Sequence, residues 1–397
     1  MQADLVVIGA GLAGSCLAAA VAQRGWRVVL LERQRGPRHK VCGEFLSPEA
    51  QASLHALDLH ATVAALAPAE IYRAAIISRQ GQRLDMALPG VAWGVSRFRL
   101  DAALAQAAAQ AGATVREGVT GTAITQGEDG YEVEVRDTAS ARTSIHTRTT
   151  VVACGRHAVQ GLRPPQATAA PRQMYVGVKC HYAGLQMPPE VRLYLFEGGY
   201  VGLSPIEDGQ ANLCLLASQE AFARVGGRVP AMLDAVTRAI PALASDLAGG
   251  QRLDESMVAV GAVDTARTTV LWDQCARIGD AATMIPPLCG DGQAMAIHAA
   301  EICAPLIDDV LAGRRSLAAW QTIYTDAWHA AYDQPLRTAR WLQVLLGQPQ
   351  ISAGLIGIGT LLPTLAQHLV LATRGPQRAM VEPEHPAFHR TTKKETT

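Results

Sequence analysis

The chain is poor in large aromatic residues: 397 positions hold only 5 Phe, 6 Trp and 8 Tyr. It also lacks a charge imbalance, with 35 Lys+Arg against 35 Asp+Glu. Nucleic-acid binders carry a basic excess or stripe, so no nucleic-acid partner is expected. None of the eight cysteines (16, 42, 154, 180, 214, 275, 289, 303) stands at CxxC spacing. Neither a disulfide framework nor a zinc-ligand pattern follows, so no metal is expected. The thiols read as reduced and the protein as cytoplasmic. The N-terminus shows no basic n-region and no small-residue cleavage site before an apolar strand pattern begins. What is plentiful is apolar surface: 49% of residues are hydrophobic and 18% charged. That excludes a disordered chain and predicts a core built on Ala, Leu and Val. The length predicts one large domain or two interleaved ones.

Asp4–Ile8 is a short β-branched run, read as a buried parallel strand. GAGLAG follows, with Gly9, Gly11 and Gly14, and then an Ala/Leu-rich helical stretch from Ser15 to Gln23. Arg27–Leu31 is a second strand, ending in Glu32. Gly9 permits a tight turn, Gly11 lets a pyrophosphate approach the backbone, and Gly14 lets helix pack on strand. The helix N-terminus then faces the phosphates, and Glu32 is placed to accept from the ribose hydroxyls. Such a frame serves either NAD or FAD.

A second segment separates the two. Arg277-Ile-Gly-Asp280-Ala-Ala282 leads to Pro286-Pro287-Leu-Cys-Gly290-Asp-Gly292, and a helical stretch runs from about 293 to 311. This resembles the GD motif of the flavoprotein monooxygenase superfamily. The resemblance implies FAD, with Asp280 on a ribityl hydroxyl and the Pro287–Gly290–Gly292 turn passing the isoalloxazine ring. It also implies a helix N-terminus stabilising negative charge on the reduced flavin. Arg97-Phe-Arg-Leu-Asp101-Ala-Ala-Leu104 is similar to the family's R-x-x-x-D-x-x-L helix start, where the Arg approaches the FAD phosphates. Cys154-Gly155 closes the dinucleotide fold where aromatic hydroxylases carry an Asp-Gly tied to nicotinamide use. The cofactor contacts implied also include Ala10, Leu12, Ala13, Arg33, Cys42, Gly43 and Gly121.

Three segments are similar to the geranylgeranyl reductase branch of that superfamily. Val41-Cys42-Gly43-Glu44-Phe45-Leu46-Ser47-Pro48 resembles the PCGGGLS segment, with Glu44 and Phe45 replacing two glycines. Gly199-Tyr200-Val-Gly-Leu-Ser-Pro205, with Gly209 and Asn212, resembles the GYxWxFP…GxxN strand pair, with Gly202 in place of the Trp. Ala294 stands where hydroxylases offer Asn. Cys42 and Tyr200 are the candidate catalytic residues. Tyr194 is a second candidate for the cavity, and His181 and His298 are possible proton donors. Cys289 reads as a packing residue, Lys40 as a solvated lysine and Asp291 as a turn former.

The expected fold class is α/β with an α+β substrate part. A Rossmann-like FAD-binding domain (1–70, 97–160, 265–310) is interleaved with an antiparallel-sheet substrate domain (71–96, 161–264). Within it, 71–96 reads as two or three strands with a hairpin turn at Gln80–Gln82, 230–248 as one helix, and 161–171 as a Pro-rich crossover. Residues 311–373 read as C-terminal helices, in which Trp320, Tyr324, Trp328, His329 and Tyr332 recur at helical spacing. Residues 351–372 are nearly uncharged yet interrupted by Gly and Pro. They read as a packed or amphipathic helix pair with possible peripheral membrane contact. Residues 374–397 read as a mobile tail.

Two chemistries stay open. A flavin monooxygenase would use oxygen activated at flavin C4a to hydroxylate an aromatic, polyketide or isoprenoid-like substrate. A reductase or dehydrogenase would move hydride between flavin N5 and a carbon–carbon bond of a hydrophobic molecule, with Cys42 or a cavity Tyr handling the proton. The balance falls slightly on hydroxylation, with NADH or NADPH as electron donor. A halogenase is not expected, because no segment resembles the halogenase lysine and tryptophan motifs. A non-catalytic flavoprotein is disfavoured by the large sheet that would roof the flavin.

Overall fold

The computed structural model describes residues 2–157, 159–160, 162 and 173–376. The Pro-rich crossover lies almost wholly outside these residues, and so does the tail beyond 376. The first eight-stranded sheet is built around β1 (Gln2–Ile8), which pairs in parallel with β2 (Val28–Glu32) and β9 (Arg142–Val152). β6 (Thr114–Glu117) extends it beyond β2, and β16 (Cys275–Arg277) beyond β9. β15 (Trp272–Asp273) closes that edge, while β7 (Val119–Gly127) and β8 (Gly130–Asp137) form an antiparallel flap on β9. The central strands read as unbroken apolar runs because both faces are covered. Helix α1 (Leu12–Ala22) is buried at every residue, packed between the sheet and the helices α4 (Arg97–Gln110) and α8 (Gly292–Leu311). An all-round apolar helix suits that place.

The second sheet runs β14 (Gln251–Asp264), β10 (Met174–Ala183), β13 (Ala211–Ser218), β12 (Gly199–Pro205), β11 (Glu190–Phe196), β4 (Ala69–Ile77), β5 (Arg83–Gly94) and β3 (Phe45–Leu46). All its pairings are antiparallel except β11 with β4. Residues 71–96 thus supply two strands, turning at Gly81, whose φ is +87° and whose amide donates to Ser78 O at 3.0 Å. β3 joins this sheet although it lies inside the 1–70 span expected of the cofactor domain, because Phe45 and Leu46 pair with Gly94 and Trp93.

The helix expected over 230–248 is two, α6 (Val229–Ala239) and α7 (Pro241–Asp246). Proline disfavours a helical conformation in the preceding residue, and Ile240 is extended. With α5 (Gln219–Arg224) they cover one face of the second sheet over Val178, Val201, Leu213 and Leu215. Two short helices, α2 (Pro48–Ala56) and α3 (His60–Ala64), follow β3. The C-terminal part is α9 (Leu317–Leu346), α10 (Pro349–Leu361) and α11 (Pro363–Leu371). Trp320, Tyr324, Trp328 and Tyr332 are all core residues, whereas His329 is exposed and pairs with Asp333. Among the described residues no single helix is long and apolar enough to cross a membrane. One bent pair, α9 with Ile351–Leu361 at 114°, meets that test by length and composition only.

Candidate cofactor and substrate site

The three glycines after β1 do different work. Gly9 has φ +109°, and a Cβ there would lie 2.5 Å from Ala153 O. A Cβ on Gly14 would lie 1.9 Å from Gly9 O, so helix and turn meet backbone to backbone. A Cβ on Gly11 would meet nothing within 4 Å, and the same is true at Gly43 and Gly155. Those three glycines face open space and leave backbone approachable. Leu12 and Ala13 open α1 and are buried, while Cys154 is held by its thiol donating to His157 O at 3.2 Å. Glu32 Oε2 accepts from the Ala10 amide at 3.2 Å, and Oε1 from Arg38 Nη1 at 2.9 Å and the Gln34 amide at 3.1 Å. Burial pushes this carboxyl up, but Arg38 and Gln34 outweigh it and the net shift is downward. Arg33 is exposed beside His157. Gly121 is buried, and a Cβ there would press on Ile8 at 3.0 Å, so the position has no room for a side chain.

Arg97 opens α4 and forms a forked pair with Asp101, at 2.7 and 3.0 Å. Lys40, expected to be solvated, bonds the same carboxylate. Burial raises the Asp101 carboxyl, and the two cations more than reverse that. Two cations thus share one carboxylate, which leaves an excess positive charge close to Asp280. Asp280 is exposed at its surface, close to those cations. Desolvation raises its carboxyl, against Arg97, Arg156 and Arg267.

Pro287 is exposed and begins the turn that leads to α8. Gly290 has φ +73° and lies against Phe45, and Gly292 is the first residue of α8. Gln293, in the first turn, donates from Nε2 to Cys42 Sγ at 3.2 Å, and the Glu44 amide donates to the same sulfur at 3.5 Å. Asp291 is not merely a turn former. It is 3% exposed and pairs with Arg374 at 3.3 Å, which also meets Glu49 at 3.2 Å. Desolvation raises the Asp291 carboxyl to about 7. Arg374 is therefore a buried anchor and not the start of a mobile tail. Cys289 is half-buried, its thiol pushed up to about 12 by burial.

The second sheet presents one face to Cys42 and Gly43. Register places Tyr200 opposite Leu216, Gly202 opposite Cys214 and Ser204 opposite Asn212, all on one side. Ser204 Oγ donates to Gly43 O at 3.2 Å and Asn212 Nδ2 to Cys42 O at 3.1 Å. Beside them a cavity of about 150 Å³ opens between Tyr175, Leu195, Tyr200, Leu216, Leu288 and the C-terminal end of α9. Burial holds the Tyr200 phenol well above its ordinary value. Tyr194 points to the opposite face, where it is fully buried and bonds Asp246. His298 is bonded to Tyr332 in the helical core. His181 pairs with Glu44 and meets the half-buried His39 edge-on, while Lys179 bonds both Glu44 and His39, a cluster that chain spacing did not reveal. One signal was legible: a lysine in the otherwise apolar run Tyr175-Val-Gly-Val-Lys179-Cys180.

These residues fit FAD. Open glycine backbone and the N-terminus of α1 suit a pyrophosphate. Ser15 Oγ and Gln293 Oε1, on the first turns of α1 and α8, are buried without a hydrogen-bond partner among the described residues. The FAD binding domain family matches residues 2–331. Menaquinone reductase of Mycobacterium tuberculosis (strain CDC 1551 / Oshkosh) is 26% identical over 372 residues, 88% of this chain and 85% of that protein. Digeranylgeranylglycerophospholipid reductase 2 of Methanopyrus kandleri is 26% identical over 362 residues, 85% of each chain. Kynurenine 3-monooxygenase of Xanthomonas oryzae pv. oryzae is 36% identical, but over 121 residues and 28% of this chain. Among solved structures, a flavoprotein/dehydrogenase from Cytophaga hutchinsonii superposes with TM-score 0.77 at 19% identity, covering 89% of this chain and 88% of that one.

Proposed function

The chain belongs to the FAD binding domain family and is an FAD-dependent oxidoreductase, and on that premise we propose that it reduces a carbon–carbon double bond of a hydrophobic, isoprenoid-like molecule. Bound FAD would supply hydride chemistry. The chain has to hold the substrate, exclude water and provide a proton. The observation that carries this reading is Cys42, a thiol pinned through its own backbone carbonyl and its sulfur at the meeting point of α8 and the second sheet. Its S–H hands a proton to the substrate carbon and recovers it from water. Tyr200, kept protonated by burial, donates a hydrogen bond within the cavity. The two reductases named above match across most of the chain, whereas the monooxygenase matches a quarter of it. This reading reverses the slight preference for hydroxylation.

The substrate enters from a bilayer in the same reading. Residues 341–373 hold no Asp, Glu, Lys or Arg. Val344 and Leu346 line the cavity, and the chain runs directly into α10 and α11, which expose Ile358, Leu361, Leu362 and Leu365. Exposed apolar clusters of this kind mark interaction surfaces.

The test is anaerobic reduction of FAD-loaded protein by NADH or NADPH, followed by a polyprenyl quinone or lipid in detergent. Reoxidation of the flavin with saturation of one double bond supports the proposal. A reduced flavin that responds only to oxygen, with oxygen incorporated into the substrate, restores the hydroxylase reading. A protein that takes up no FAD overturns both.

A further inference from the structure

Glu44 stands where the resembling reductases carry glycine, and its backbone shows why glycine is suited there. Its φ is +51°, a left-handed conformation that is unfavourable for an L residue. Its side chain is also fully buried, and a buried carboxylate is costly unless paired. The compensation comes from β10. Glu44 Oε1 lies 3.1 Å from Lys179 Nζ and accepts from the Arg97 amide at 3.0 Å. Oε2 lies 2.6 Å from His181 Nε2. Lys179 is wholly inaccessible, and its Nζ also lies 3.0 Å from His39 Nδ1. His39 therefore accepts at Nδ1 from the ammonium, and burial and the neighbouring charges push its pKa down.

The donor atoms of His39, Glu44 and His181 lie within 4.8 Å of one another. Two imidazoles and a carboxylate at that spacing are a divalent-cation donor set. Here a side chain of the same protein supplies the cation that bridges two of them. Lys179 and His181 alternate along β10 and face Cys214 and Asn212 of β13. The cage thus joins the turn Cys42–Glu44 to the sheet at the very place where Asn212 and Ser204 hold its carbonyls.

We propose that Lys179 is a built-in cation closing a two-histidine, one-carboxylate cage, and that this cage is the positioning device that fixes the Cys42 turn against the substrate sheet. It rests on the reductase reading only for the purpose of that turn. Two consequences follow for the FAD-loaded full chain. Lys179→Ala opens the cage to Co²⁺, Ni²⁺ or Zn²⁺, which the wild type does not admit there. Loss of the cation also frees the turn, and a metal restores it.

Co²⁺ titration followed by visible absorption should show one equivalent bound to Lys179→Ala, lost when Glu44→Gln or His39→Ala is added. Alkylation of Cys42 by iodoacetamide, read by peptide mass, should be faster in Lys179→Ala by about tenfold, as expected of eased local opening. Zn²⁺ should return it towards the wild-type rate. A packing defect alone would not respond to metal. If Lys179→Ala does not fold, Lys179→Met with Glu44→Gly removes both charges and the strained residue. That variant should show fast alkylation that no metal slows. Absence of metal binding in Lys179→Ala, or wild-type alkylation in either variant, overturns the proposal. None of these readouts involves turnover, so failure of the cage and failure of the reductase reading are separate outcomes.

Discussion

Substituting alanine at Gly11 and at Gly14 separates two jobs that one motif performs. Gly14→Ala places a methyl 1.9 Å from the carbonyl oxygen of Gly9. Both atoms belong to backbone, so no side chain can swing away, and α1 must move off the turn inside a close-packed core. Overpacking costs about 1–3 kcal/mol, and this rigid contact belongs at the upper end. Gly11→Ala meets no atom within 4 Å and sits at φ −81°, ψ −175°, open to any residue. Alanine there should leave the apo protein unchanged or stabilise it by about 0.4–1 kcal/mol through the unfolded chain. Its methyl would instead stand where the pyrophosphate approaches, weakening FAD binding by about tenfold or more, ~1.4 kcal/mol. Urea unfolding of the two apo variants and flavin-fluorescence titration measure both effects. Wild-type FAD affinity in Gly11→Ala, or wild-type stability in Gly14→Ala, would refute the reasoning.

Three further outcomes are expected. Asp291 has its carboxyl raised by burial from 3.8 to about 7, so the folded protein keeps a proton that the unfolded chain releases. Stability from this group is then present below the ordinary value and lost as pH rises through about 7, and Asp291→Asn should flatten the thermal midpoint over that range. Tyr194→Phe removes a bond to the Asp246 carboxylate and should cost about 1.5 kcal/mol in urea unfolding without altering FAD affinity; a loss of FAD would place Tyr194 in the site after all. Leu361→Asp with Leu365→Asp should abolish co-sedimentation with phosphatidylcholine vesicles. Because residues 341–373 carry no charged side chain, wild-type binding should be nearly independent of salt, and strong salt dependence would argue against apolar insertion.

The dinucleotide frame was legible because its causes are local. Tight turn, close approach and open backbone are each met by one glycine at one spacing, and β1, α1, β2 and α8 fall within a few residues of their expected bounds. The choice of FAD was legible only through two motifs far apart in the chain. The site was harder to read where a residue's role depends on which face of a strand it occupies. Tyr194 and Tyr200 lie in adjacent strands with similar surroundings in sequence, but register pairs them with Val201 and Leu195 and sends them to opposite faces. The close approach of Gly121 to Ile8 was likewise invisible in the sequence, because the two residues are brought together only by folding.

Sequence alone determined an α/β dinucleotide-binding fold with an apolar helical C-terminus, since periodicity, glycine spacing and composition act over short stretches, while FAD was implied by the resemblance of the segment around Asp280 to a flavoprotein motif. Tertiary structure decided which charges meet. Lys40 with Asp101, Arg374 with Asp291, and Lys179 with Glu44 are separated by 61, 83 and 135 positions. A buried ion needs a partner whatever its place in the chain, and that partner is known only once distant segments have been brought together by folding.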